Sequence, residues 1–396
     1  MAKKVVLGFS GGLDTSYCVK YFTEEKGYEV HSIIVNTGGF DAAELNQIEA
    51  HAYALGVKTH TTIDAVEKYY ETIIKYLVFG NVLKNNTYPL SVSAERLSQA
   101  MHIAEHARNI NADAVAHGST GAGNDQVRFD MIFHIMIPGI EIITPIRDMQ
   151  LSREVEIEYL ESKGVKMNFE KAQYSINKGL WGTSVGGKET LQSRGMLPES
   201  AWPTPVTKTG EEEVKLYFEK GELKGINDQM FSHTVEAIKH LQKLAAPYGI
   251  GRDIHVGDTI IGIKGRVGFE AAAPMVIIKA HHVLEKHVLT KWQLSWKDQL
   301  AQFYGNWLHE GQIMDPVMRD IEAFLQHSQS QVTGQVFVQL LPYRFTIIGI
   351  ESPFDLMNSK FGKYGEMNTG FTGDDVRGFS KIFGNQVGIY HRVKDS

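Results

Sequence analysis

The chain has a single cysteine, Cys18, in 396 residues. That excludes an internal disulfide and any Cys-x-x-Cys metal site, and Cys18 reads as a small hydrophobe buried in the first helix. No apolar run approaches the roughly 18 residues of a membrane span. Met1-Ala2-Lys3-Lys4 leads straight into a strand pattern, so no signal peptide is expected ahead of it. Basic charge is not in excess: the net charge is -6 and the pI is near 6.2. Nucleic-acid binders usually carry a basic patch or a high pI, and here the charges are interspersed. There is no internal repeat and no low-complexity segment. With a hydrophobic fraction of 43% to fill its cores, a chain of this length is expected to form two domains with a tail. These features together favour the cytoplasm, with no nucleic-acid and no membrane partner.

What is present begins at Val5-Val6-Leu7-Gly8-Phe9-Ser10-Gly11-Gly12-Leu13-Asp14-Thr15-Ser16. It reads as a buried strand, a glycine turn and a helix start. Gly11-Gly12 permits a tight turn and a close backbone approach to a ligand. Asp14, Thr15 and Ser16 read as N-cap and first-turn residues. A helix N-terminus offers free N–H groups and the positive end of the dipole, a combination that binds phosphate. The hydroxyls of Ser10, Thr15 and Ser16 add donors. Gly-Lys-Ser/Thr is missing, so this is not a Walker loop. The stretch resembles the pyrophosphate loop of ATP pyrophosphatases, which activate a substrate by adenylylation.

Strand and helix patterns then alternate. Helices are expected over Thr15–Lys26, Ala42–Leu55 and Ala94–Ile110, with another capped by Asp64 and carrying Val66, Tyr69, Ile73, Ile74 and Leu77. Ser152 is expected to cap the helix that ends before Gly164. Strands are expected at Glu29–Val35, Val57–Ile63, Ala114–Ala116 and Ile142-Ile143. This alternation implies an α/β fold with a doubly wound, mostly parallel sheet, whose ligands bind beyond the strand carboxyl ends. From about Val165 the pattern becomes α+β. Asn168 to Gly187 reads as a functional loop or linker. Val214 to Phe218 and Ile260-Ile261-Gly262-Ile263 read as strands. A helix covers Val235 to Leu244, and two or three long helices run on to Leu325. A hairpin is expected around Pro342-Tyr343. The expected division is a nucleotide-binding domain over 1–166, a substrate domain over 167–375 and a C-terminal segment over 376–396. His282 and His287 are five apart, a poor metal face. Glu211-Glu212-Glu213 reads as a solvated run.

A second glycine-rich stretch, His117-Gly118-Ser119-Thr120-Gly121-Ala122-Gly123-Asn124-Asp125-Gln126-Val127-Arg128-Phe129-Asp130, follows the strand Ala114–Ala116 and should share a sheet edge with the opening loop. Thr120, Asn124, Asp125 and Arg128 offer a hydroxyl, an amide, a carboxylate and a guanidinium. Such a set suits an amino acid, its carboxylate to Arg or hydroxyl donors and its ammonium to Asp.

With these two loops in hand, the chain resembles the argininosuccinate synthase family, within the N-type ATP pyrophosphatases. Further matches are Tyr88-Pro89-Leu90-Ser91-Val92-Ser93, Tyr174-Ser175-Ile176, Leu180-Trp181-Gly182-Thr183-Ser184, Gly249-Ile250-Gly251-Arg252, and Phe371-Thr372-Gly373 with Asp375-Val376. They cover nearly the whole chain in the family's order. The resemblance implies an AMP-forming ligase that joins citrulline and aspartate through citrullyl-AMP, with ATP as substrate, Mg²⁺ as cofactor and a homotetrameric assembly. It implies ATP contacts at Gly8, Phe9, Ser10, Gly11, Gly12, Leu13, Asp14, Thr15, Ser16 and Gly118, and at Asn36 after the second strand, where many members have Ala. It implies citrulline contacts at Tyr88, Ser93, Asn124, Arg128, Ser175 and Ser184, and aspartate contacts at Thr120, Asn124 and Asp125. Asp14 would hold the metal–pyrophosphate and Asp125 would orient the attacking amine. The chain departs from the family where a citrulline-contacting Glu and Tyr align with Gly257 and Phe269, which suggests a divergent branch. Asp253, His255 and Asp258 are the candidates to replace the missing carboxylate. The alternative is an RNA-modifying, thiolase-type adenylylase on the same ATP-binding fold. Such enzymes typically use cysteines and a basic surface, and this chain offers one cysteine and an acidic pI.

Overall fold

The computed structural model describes residues 2–165, 174–358, 362, 364–367 and 369–395. The first half alternates β1 (Lys4–Gly8), α1 (Leu13–Lys20), β2 (Glu29–Asn36), α2 (Ala42–Leu55), β3 (Thr59–Asp64), α3 (Val66–Tyr69), α4 (Lys75–Phe79), α5 (Ser91–Asn109), β4 (Ala114–Ala116), α6 (Asp125–Met136), β5 (Glu141–Ile143), α7 (Pro145–Asp148) and α8 (Arg153–Ser162). All five strands are parallel, in the order β3-β2-β1-β4-β5. The chain turns outward in both directions from β1, so the ends of β1 and β4 flank the switch point where ligands bind on such sheets. Strand alternation divides β1 between two cores. Val5 and Leu7 pack with Cys18, Val19, Phe22 and Leu160 on one face. Val6 packs with Ile33, Leu97, Ala104 and Val115 on the other. Local chemistry supports the boundaries: Asp41 and Glu44 form a reciprocal capping box at the start of α2, and Gly56 ends the helix at φ 105°.

The second half contributes β6 (Ser175–Gly179), β7 (Gly182–Gly186), β8 (Glu212–Glu219), β9 (Glu222–Ile226), β10 (Gln229–Met230), α9 (Thr234–Ala245), β11 (Arg252–Asp258), β12 (Lys264–Glu270), α10 (Ala272–Val288), α11 (Lys291–His309), α12 (Pro316–Ser328), β13 (Gly334–Leu341) and β14 (Arg344–Glu351). These strands form two antiparallel sheets, β10-β9-β8-β13-β14 and β11-β12-β7-β6. The core that includes Val6 and Ile33 continues without a break through Val214, Ile277 and Val338. The helical run Val66–Phe79 carries it across: Lys297 Nζ donates to Phe79 O at 3.0 Å and pairs with Glu285 at 2.8 Å, both side chains fully buried. Finally α13 (Gly373–Phe383) and α14 (Asn385–Lys394) leave Phe379, Ile382 and Phe383 more than 60% exposed.

Several elements differ from the sequence expectation. Ile260 to Ile263 is not a strand but the turn of the β11–β12 hairpin. Gly262 sits at φ +84°, and Thr259 N donates to Ile263 O at 2.8 Å. Its isoleucines suggested a strand, whereas the true strands on either side are polar. Within Asn168 to Gly187, Ser175 to Gly186 forms the β6–β7 hairpin; Asn168 to Gln173 lies outside the described residues. Its residues border an open cleft, so the apolar alternation of a core strand is missing. Asp64 accepts from Val66 N at 3.1 Å, although the cap position itself is Ala65. The first helix starts at Leu13 and passes into a π-turn over Tyr21–Glu25, and α5 starts at Ser91 rather than Ala94.

Candidate active site

The carboxyl ends of β1 and β4, the start of α1, one face of α5, and the hairpins β6–β7 and β11–β12 surround a cleft of 1120 Å³. Gly11, at φ +76°, makes the turn after β1 that only glycine adopts freely. Gly12 is the helix cap and, as glycine, has no side chain to offer the first-turn N–H groups. Gly12, Leu13, Asp14 and Thr15 line the cleft, so the positive end of α1 faces it. The loop after β4 lies directly against this turn: a Cβ on Gly118 would stand 3.2 Å from both Asp14 Cβ and Thr15 Cγ2. Ser10 Oγ and Thr15 Oγ1 lie 3.4 Å apart at the rim.

Asp14 has a partner that sequence reasoning missed. Glu156 on α8 is 3% exposed and hydrogen-bonded to it. Burial and then the Asp14 charge push the Glu156 carboxyl up to about 8. At neutral pH Glu156 therefore keeps its proton and donates it to the Asp14 carboxylate. Arg153, one turn earlier on α8, also lines the cleft.

On the opposite side Asp125 starts α6 between two guanidinium groups, 3.0 Å from Arg96 Nε and 3.0 Å from Arg128 Nη1. Burial alone would raise its pKa, but the two cations hold it below the usual carboxylate range. Arg96 also donates to Asn177 Oδ1 at 2.6 Å, which ties α5 to the β6–β7 hairpin. Arg128 is almost completely engaged: Nε and Nη2 donate to His309 O, Nη2 also donates to Ser93 Oγ, and Nη1 serves Asp125. One Nη1 hydrogen remains. Burial, then Arg128, lowers the His309 pKa to about 4, so its ring is neutral. Its Nε2 faces the Asp258 carbonyl, an acceptor only, and so carries the hydrogen; Nδ1 then accepts from Ser93 Oγ at 3.1 Å. The loop before α6 is braced by its own residues, by α6 and by the β11–β12 turn. His117 contacts Asp130 at 2.9 Å, Gln126 donates to Gly121 O at 2.7 Å, and Asn124 Oδ1 accepts from Ile260 N at 2.8 Å.

The cleft brings together Gly8, Phe9, Ser10, Gly12, Leu13, Asp14, Thr15, Gly118, Tyr88, Ser93, Thr120, Asn124, Asp125, Arg128, Ser175 and Ser184. Three expected contacts stand behind its wall. Gly11 shapes the turn. Ser16 is fully buried, its hydroxyl 3.0 Å from His51 Nε2 rather than facing the cleft. Asn36 uses its amide on the following loop, accepting from Gly38 N and donating to Phe40 O. Phe269 is fully buried against Tyr88, whereas Gly257 lines the cleft. Asp253 is exposed, and Asp258 pairs with Lys264, so neither brings an unpaired carboxylate to that wall. The α5 residues Val92, Glu95, Arg96, Gln99 and Ile103 recur at helical spacing and line the cleft. A run of Glu, Arg and Gln on that face was a signal open to sequence reading; His309, far along the chain, gave none.

Comparison with known proteins gives a consistent result. Residues 4–166 match the model described as Arginosuccinate synthase N-terminal HUP domain, and residues 174–390 match the Arginosuccinate synthase C-terminal domain. The chain is 36% identical to a protein of Methanocaldococcus jannaschii named argininosuccinate synthase, over 100% of this chain and 99% of the relative. It is also 36% identical to the protein of that name from Xanthomonas campestris, over 99% of each chain, and 33% identical to that from Sulfolobus acidocaldarius, over 96% and 97%.

Proposed function

The chain belongs to the argininosuccinate synthase family and is an ATP-dependent citrulline–aspartate ligase, and we propose how its cleft serves the three substrates. The ATP phosphates lie on Ser10, Gly12 and Leu13 to Thr15, with Gly118 closing over them. Tyr88, Ser93, Ser175, Ser184 and the remaining Arg128 hydrogen receive citrulline. Thr120 and Asp125 receive aspartate, and Asn124 stands between the two amino acids. The observation that carries this reading is the convergence of both glycine loops and both hairpins on a single cleft.

In the first step the ureido oxygen of citrulline bonds to the α-phosphorus of ATP as the bond to pyrophosphate breaks. The α1 N-terminus and the Ser10 and Thr15 hydroxyls take up the charge of the leaving group, while the β6–β7 hairpin keeps citrulline in line. Among the described residues no group of three or more His, Cys, Asp or Glu is gathered to cage a metal. The Asp14 carboxylate, beside the proposed phosphate site, suits Mg²⁺, which binds through one or two carboxylates and substrate phosphates. Bound there, Mg²⁺ would neutralise charge on the pyrophosphate. In the second step the aspartate amine attacks the activated carbon, the bond to AMP breaks and one proton leaves the nitrogen. Asp125, with its pKa depressed, orients the amine; a phosphate oxygen of departing AMP is the better proton acceptor.

ATP–pyrophosphate exchange tests the assignment. Exchange is expected only when citrulline is present and without aspartate; exchange that ignores citrulline would refute it. We further propose a cytoplasmic homotetramer, supported by the apolar surface that α13 and α14 leave open to a second copy. No described helix is long and apolar enough to cross a membrane.

A further inference from the structure

The β11–β12 wall of the cleft carries an imidazole with an unmade hydrogen bond. Alternation along β11 turns His255 and Gly257 toward the cleft, which both line, while Val256 between them is 52% exposed. The His255 ring stacks on Tyr88, centroids 5.1 Å apart and planes at 24°. Its Nδ1 is sealed from solvent and has no partner among the described residues, so Nε2 is the nitrogen the ring can offer. The Nε2–Cε1 edge covers Gly257: a Cβ there would lie 2.5 Å from Nε2 and 3.1 Å from Cε1. The ring thus occupies the space that any side chain at 257 would claim. Burial, with Lys84 nearby, lowers the pKa of His255, so the ring is neutral. This wall therefore presents an uncharged donor–acceptor group beside Asp258, whose carboxylate is turned to Lys264.

We propose that His255, seated on Gly257 and stacked on Tyr88, is a specificity-determining residue of this cleft, its Nε2 hydrogen-bonding bound citrulline. The inference rests on the assignment of the Tyr88–Ser93 region to citrulline. It makes His255, Gly257 and Tyr88 one unit, in which the glycine exists to admit the ring.

Citrulline-dependent ATP–pyrophosphate exchange with the full chain tests it. His255→Ala should raise the KM for citrulline about tenfold, the loss of one hydrogen bond, and leave the KM for ATP within about twofold. Gly257→Ala should do the same, because its Cβ displaces the ring. The double variant should be no worse than His255→Ala alone, since both changes remove one contact. His255→Phe keeps a ring on Tyr88 but no nitrogen, and should behave like His255→Ala. A citrulline KM unchanged in His255→Phe would overturn the proposal by reducing His255 to packing, as would strictly additive effects of the two alanine changes. If the unaltered enzyme showed no citrulline-dependent exchange, the citrulline assignment itself would fall.

Discussion

Asp125 has an arginine on each oxygen, and this geometry limits what it can do. A carboxylate held below its usual range by Arg96 and Arg128 orients an ammonium well and accepts its proton poorly. Asp125→Asn is therefore expected to retain citrulline-dependent pyrophosphate exchange while argininosuccinate formation falls by roughly 10²-fold, the cost of losing a positioning group. Loss of exchange as well would mean that Asp125 also serves adenylylation. Glu156 makes the opposite case, its folded-state pKa raised to about 8 from an unfolded value near 4.3. Between those values the folded state binds more protons than the unfolded. The stability this group contributes is complete below the unfolded pKa and is lost as pH rises through about 8. Melting temperature should decline from pH 6 to pH 9, and Glu156→Gln, which cannot ionise, should flatten that decline. An unchanged slope in the variant would remove Glu156 as its source. The Glu156–Asp14 and Arg96–Asp125 partnerships were closed to sequence reading, because each joins residues from different helices, whereas Arg128 stands one turn from Asp125 on α6.

At the scale of elements, the strand–turn–helix at the start of the chain and the loop after β4 were both legible, since glycine, hydroxyl and cap residues act locally. The two hairpins were not. β6–β7 is built from Ser, Asn, Lys and Gly because it lines the cleft rather than the core, and the isoleucines beside β11–β12 belong to its turn. Gly249-Ile250-Gly251-Arg252, read as a family signature, proves to be an element junction. Gly249 and Gly251 sit at φ +73° and +77°, and a Cβ on Gly251 would lie 2.5 Å from the Ala271 backbone. Arg252 then pairs with Glu270 at 3.2 Å. Gly251→Ala should destabilise the fold by about 1–3 kcal/mol from the left-handed backbone alone, read as a lower urea midpoint. A midpoint equal to the parent's would show that the junction relaxes freely.

At the scale of the whole molecule, the cleft belongs to both halves of the chain. The parallel sheet supplies the glycine turn after β1 and the Asp125 loop, and the antiparallel sheet closes over them with Ser175, Ser184 and His255. The shared core through Val6, Ile277 and Val338 keeps those contributions in register. The C-terminal helices stand apart from this core, with Ile382 79% and Phe383 77% exposed. Removing residues 371–396 should yield a smaller assembly in a sizing experiment, and an unchanged size would dissociate that surface from oligomerisation. By itself the sequence determined the parallel α/β first half, the two glycine loops and the family, because these rest on short-range patterns and on motifs contiguous in the chain. Only the tertiary structure decided which residues act together: Glu156 with Asp14, Arg96 with Asp125, Ser16 and Asn36 turned away from the cleft, and His255 over Gly257. Those relations depend on distances between residues far apart in sequence, which burial and packing set and no local pattern encodes.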